Sequence, residues 1–250
     1  MKSIPSLWAS VFAPVSGPVR RWIAHVFSCH GIVLALALAI VGPVAAQSVV
    51  AVSNLAETES GSQPVNLLYE GSASTISFAQ SFTTGGDAVY LNFITLQMTS
   101  GGYGSGFTVT LHEREMEGEM DVPGEFLAQL AGSGTPAESG AYNFSATEQI
   151  LLSADTTYFW MAWIQPDGGE VDAQFNVSTT GSMDETSDAG WSLGDAGLIY
   201  EGTEEGEGEW ISMGEAALFS VNTTAIPEPG TYGALVGIVI LGIAASRRRA

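Results

Sequence analysis

Apolar and polar residues alternate along much of the chain between residues 47 and 224. Phe107, Val109 and Leu111 point one way from an extended strand, and Thr108, Thr110 and His112 point the other. That period of two is what a half-buried strand requires. The same alternation sets Ala173, Phe175 and Val177 against Gln174, Asn176 and Ser178. It also sets Ala217, Phe219 and Val221 against Leu218, Ser220 and Asn222. Ile76, Phe78 and Phe82 share a parity around Gln80, while Ile94, Leu96 and Met98 stand opposite Thr95 and Gln97. The segment YFWMAWI, Tyr158 to Ile164, is apolar on both parities and predicts a central strand covered on both faces. The Gly-rich stretch 100–106 predicts a turn between strands. Outside the two ends, no window carries a sustained 3.6-residue stripe. The pattern predicts an all-β fold, a single jelly-roll-like β-sandwich, with His112 exposed on its strand.

Two apolar runs break this pattern. Gly31 to Val41 follows a basic stretch and precedes Val44-Ala45-Ala46-Gln47. The order basic, apolar, small predicts a signal peptide over residues 1–46, with its helix removed between Ala46 and Gln47. The run is too short for a comfortable membrane span of about 20 residues. A second run, Tyr232 to Ala245, is followed by Arg247, Arg248 and Arg249. It predicts a C-terminal hydrophobic helix whose positive end stays cytoplasmic. The expected organisation is a signal peptide (1–46), one exported β-sandwich (47–224) and a sorting or anchor segment (225–250).

Charge sharpens this division. The chain has a net charge of −20, and its cations cluster at the two ends, with only Arg114 between. Residues 47–224 hold 26 of the 27 acidic residues and one of the seven basic ones, a net charge of −25. A surface of that sign excludes nucleic acid as a partner, because phosphates need Lys or Arg. His25, Cys29 and His30 fall in the signal peptide, so the exported region keeps no cysteine and a single histidine, His112. That leaves no disulfide, thiol nucleophile or two-His zinc site within one chain.

Pro227-Glu228-Pro229, the apolar segment that follows and the terminal Arg247–Arg249 together resemble the PEP-CTERM sorting signal over residues 226–250. The resemblance implies export across the inner membrane and transient anchoring by the C-terminal helix. It also implies processing by an exosortase, a membrane protease or transpeptidase, and a final place on the cell surface or in the extracellular medium. Gly230 stands where the family usually has Ser or Thr.

The exported region carries Gln80-Ser-Phe-Thr-Thr-Gly85, then strands at 90–98 and 107–111, then Pro123-Gly-Glu-Phe-Leu-Ala-Gln-Leu130, then Leu152-Ser-Ala-Asp-Thr-Thr-Tyr158. In this order the segments resemble the choice-of-anchor R domain family over residues 53–224. The resemblance implies a surface module and supplies no catalytic residues.

Candidate chemistry is sparse. His112 to Asp121 is the most charged stretch, and on an extended strand Glu113, Glu115, Glu117 and Glu119 would share a face. Like charges so placed need solvent or a cation. Glu113, Glu115, Glu117 and Asp121 are therefore Ca²⁺ candidates, against the plainer expectation of a solvated hairpin tip, which we favour; no other cofactor is expected. The same acids are the only ones patterned for glycoside hydrolysis, the least favoured option. Trp160 and Trp163 lie on opposite parities and predict core packing. Trp191, Tyr200 and Trp210 sit among Gly and acidic residues and are the candidates for stacking on a ligand such as a sugar. The sequence points to a non-catalytic structural or binding role at the surface, with polysaccharide as the candidate partner besides the exosortase.

Overall fold

The structure, a computed structural model, describes residues 48–69, 73–132, 135–165, 172–182, 185–194, 196–203 and 208–226. The signal segment with Ala46 and Gln47, and the sorting segment from Pro227 onward, lie outside the described residues, as do the two helices expected there. Among the described residues there are strands and turns but no helix, and so none long and apolar enough to cross a membrane.

Nine strands carry most of the fold: β1 (Ser48–Ser53), β2 (Gly61–Tyr69), β3 (Ala73–Thr83), β4 (Val89–Tyr103), β5 (Phe107–Glu117), β6 (Met120–Gly132), β7 (Gly140–Leu152), β8 (Thr157–Ile164) and β9 (Ala173–Thr180). Shorter pieces follow: β10 (Thr186–Ser187), β11 (Ser192–Leu193), β12 (Leu198–Thr203), β13 (Gly208–Ser212) and β14 (Ala216–Ala217). The last strand is β15 (Phe219–Ala225). Every pairing is antiparallel.

The hydrogen-bonded path β4-β7-β6-β5-β8-β3-β2-β9 returns to β4, so eight strands close a circuit. Two long strands make this closure. β3 gives residues 73–76 to β2 and residues 78–83 to β8. β4 pairs with β15 over 89–96, then with β9 through Met98, Thr99 and Tyr103. Gly101, at φ 100°, lies in the register shift of the β4–β9 ladder between Thr99 and Tyr103. A positive φ is available to Gly at little cost.

The main core gathers Phe78, Phe82, Ile94, Leu96, Leu111, Phe144, Trp160, Phe175 and Phe219, all at most 1% exposed. Burying side chains of this size contributes about 1.5–3 kcal/mol each. Gln80 is fully buried on the same side of β3, between Phe78 and Phe82. Its Nε2 donates to Gly194 O at 2.8 Å and its Oε1 accepts from Ala217 N at 3.0 Å, so a polar side chain bridges three segments without an unpaired amide.

β8 runs between β3 and β5, and both its faces are covered, as its sequence predicts. Tyr158, Trp160, Ala162 and Ile164 enter the main core, while Phe159 joins a second cluster with Ala79, Val122 and Leu198. That second cluster corrects the expectation for β5. Thr108, Thr110 and His112 are buried as well as Phe107's neighbours Val109 and Leu111, so this strand is covered on both faces until Glu113. Alternation shows which residues are apolar. It does not show that a second layer covers the polar face.

Candidate binding groove

β6 pairs with β7 at Leu130↔Ala146, Ala131↔Ser145 and Gly132↔Phe144, and there the ladder stops although both strands continue. Two irregularities part them. β6 shifts register against β5 on either side of His112, and such bulges bend a strand. Gly124 lies in one of these shifts, where a Cβ would come 2.7 Å from Cβ of Glu115. In β7, residues 146–149 stand opposite Asn92 alone, because Leu91 pairs with Ile150 and Phe93 with Ser145.

The parted strands enclose a groove of about 440 Å³. This lies within the range of small-ligand sites, about 300–1,000 Å³. Phe126, Leu127, Ile150, Leu151 and Tyr158 give it apolar surface, and Glu113, Gln129, Thr147, Glu148, Gln149 and Ser153 give it polar groups. Phe126 is 56% exposed and Leu151 52% exposed, so a large ring and a large aliphatic group are left to solvent. Tyr158 is buried, and its hydroxyl accepts from Ser153 N at 2.9 Å. Among the described residues, the charged side chains lining the groove are the carboxylates of Glu113 and Glu148.

His112 supports this groove from behind. It is 9% exposed, which overturns the expectation of an exposed strand histidine. Its Nδ1 lies 3.0 Å from Gly124 O, and a carbonyl only accepts, so Nδ1 carries the proton. Nε2 is then free to accept from the Thr110 hydroxyl at 2.9 Å. Desolvation lowers the His112 pKa below its ordinary 6.5, and the bond to Gly124 partly offsets that. The ring meets Phe126 edge-on at 5.8 Å. His112 thus fixes the bulge and the aromatic side chain at the groove's mouth.

Of the sequence candidates, only Glu113 reaches the groove. The acids of the hairpin are exposed, and Arg114 Nε donates to Asp121 Oδ1 at 2.6 Å. Asp121 is therefore engaged by the one cation of the exported region. Among the described residues, no three His, Cys, Asp or Glu side chains are gathered to hold a metal ion, so Glu113, Glu115, Glu117 and Asp121 do not assemble as a Ca²⁺ cluster.

Trp191 is not an open loop aromatic. It is 8% exposed, stacks on Phe82 at 6.3 Å with ring planes 10° apart, and belongs to the main core. Gly85 makes room for it: a Cβ there would lie 2.9 Å from the indole. Tyr200 and Trp210 are half-buried cross-strand partners on β12 and β13, with centroids 5.2 Å apart, and Trp210 packs against the second cluster. Among the described residues the most exposed aromatic side chain is that of Phe126, which the sequence did not single out. Its signal was Pro123-Gly124 inside an otherwise strand-like run, a mark of a bulge.

The polar segments Gln80–Gly85 and Leu152–Tyr158 bond to each other. Thr84 Oγ1 donates to Ser153 O at 2.6 Å and lies 3.1 Å from Thr156 O, and it accepts from Thr156 N at 2.9 Å. Asp155 N donates to Gly85 O at 2.9 Å, with Asp155 at φ 48° in the left-handed region.

Residues 225–249 match the family model of the PEP-CTERM protein-sorting motif. No curated protein and no solved structure matches the chain.

Proposed function

We infer from the sorting motif that the chain is an exosortase-sorted extracellular or surface protein, exported with a membrane-anchored C-terminal signal before processing. We propose that residues 47–224 act there as a non-catalytic binding module that takes a neutral polysaccharide of the extracellular matrix in the β6–β7 groove. The observation that carries this reading is the groove itself. It combines an exposed ring, Phe126, with the amides of Gln129 and Gln149 and the hydroxyls of Thr147 and Ser153. A saccharide presents C–H faces and hydroxyls in the same combination, which suits an aromatic plate with polar groups around it. Carboxylates without a cation beside them disfavour uronate or sulfated chains.

Affinity electrophoresis of the exported domain through gels holding neutral or anionic polysaccharides tests this. Retardation by a neutral glycan, lost in Phe126→Ala, is the expected result. Unretarded migration through every gel overturns it, and release of reducing sugar would make the module an enzyme.

A further inference from the structure

The strand registers place the exit of the sorting tail. Ser48 pairs with Thr224, Thr224 with Tyr90, and Tyr90 with Leu151, so these four residues form one row across β1, β15, β4 and β7. Ala225, Val89 and Leu152 form the next row outward, and the chain leaves the sheet there at Ile226. The turns that join β3 to β4 and β7 to β8 lie at this same end, held together through Thr84.

This end is also where exposed apolar side chains collect. Val49, Val50, Leu151 and Ile226 are exposed at or beside the two rows, and Phe126 shares the groove with Leu151. They are five of the eight large hydrophobic residues exposed among the described residues. Only Ile226 to Thr231 separate the last strand residue from the apolar run beginning at Tyr232. At about 3.3–3.6 Å per residue, six residues reach at most about 20 Å. The headgroup region of one leaflet takes up several ångströms of that reach.

We propose that, while the tail is uncleaved, this end of the domain rests on the outward surface of the bilayer, with Val49, Val50, Phe126, Leu151 and Ile226 in contact with zwitterionic lipid. Charge selects the lipid. The exported region carries a net charge of −25, and the exposed Asp87 and Asp155 lie on the two flanking turns, so an anionic surface repels the contact that the apolar groups make.

The test uses the chain from Gln47 onward, which has no native cysteine, with its tail uncleaved in phosphatidylcholine nanodiscs. Single cysteines at Val50, Leu151 and Tyr103, the last at the far end of β4, carry a polarity-sensitive dye. A lipid spin-labelled near its headgroup is the quencher. Quenching at positions 50 and 151 at least about threefold stronger than at 103 is expected for shallow burial of an apolar face. Phe126→Asp should lower the quenching at 151, and Ile211→Asp should leave it unchanged. Equal quenching at all three positions overturns the proposal, as does a contact at positions 50 and 151 that appears only when exosortase is added.

Discussion

Two neighbouring regions of this domain look opposite in sequence and in structure. The segments Gln80–Gly85 and Leu152–Tyr158 are rich in hydroxyls and amides and look like a site. The flanks of the groove, 126–129 and 147–151, look like ordinary strand. In the folded chain the first pair is self-sufficient: Gln80, Thr84 and Tyr158 spend their polar atoms on Gly194, Ala217, Ser153 and Thr156. The second pair stops pairing with itself after Leu130 and Ala146 and leaves a ring, amides and carboxylates facing an open groove. Polar residues signal function when the fold leaves them unpaired. Their presence alone does not.

The comparison breaks most visibly at Trp191. Trp191→Ala removes a buried ring stacked on Phe82 and should cost about 3–5 kcal/mol in urea unfolding, with glycan retardation of the remaining folded protein unchanged. Loss of retardation at unchanged stability would return Trp191 to the role its loop composition suggested. Thr84→Val removes the hydroxyl that joins the two turns and leaves Thr156 N unpaired. A loss of about 1–3 kcal/mol is expected by the same measurement.

His112 sharpens the comparison through pH. Its folded pKa lies below 6.5, so the unfolded chain binds the proton more readily. Stability should therefore fall as pH drops from about 6.5 to the folded pKa, then level off for this group. Parallel pH series of wild type and His112→Gln check this, and the variant should lack that part of the slope. The smallest stability effect belongs to the groove. Phe126→Ala truncates an exposed ring and should stay within about 0.5 kcal/mol of wild type.

Much of the fold was legible in the sequence. Alternation placed the strands around Phe107–Leu111, Ala173–Val177 and Phe219–Val221, and the doubly apolar Tyr158–Ile164 emerged between two partners. The tail was legible because its three parts are contiguous, and the match to residues 225–249 bears that out. Burial on the second face was not legible, since the second cluster draws Ala79, Val122, Phe159 and Leu198 from four different strands, with Phe159 paired to the buried His112. Trp191 misled because Asp188, Gly190 and Ser192 around it are residue types common in loops, while the space it fills is made far away in sequence by Gly85. The groove depends on register shifts in β6 and β7, and register is a property of strand pairs. Only Gly124 hinted at it.

The central claim is that the open β6–β7 groove is the binding site and the Tyr200–Trp210 pair is not. The most direct measurement compares retardation of wild type, Phe126→Ala and Trp210→Ala in a gel of neutral polysaccharide. The account predicts retardation of wild type and Trp210→Ala and its loss in Phe126→Ala at unchanged stability. Retention of binding by Phe126→Ala together with its loss in Trp210→Ala would contradict it and move the site to the Tyr200–Trp210 pair.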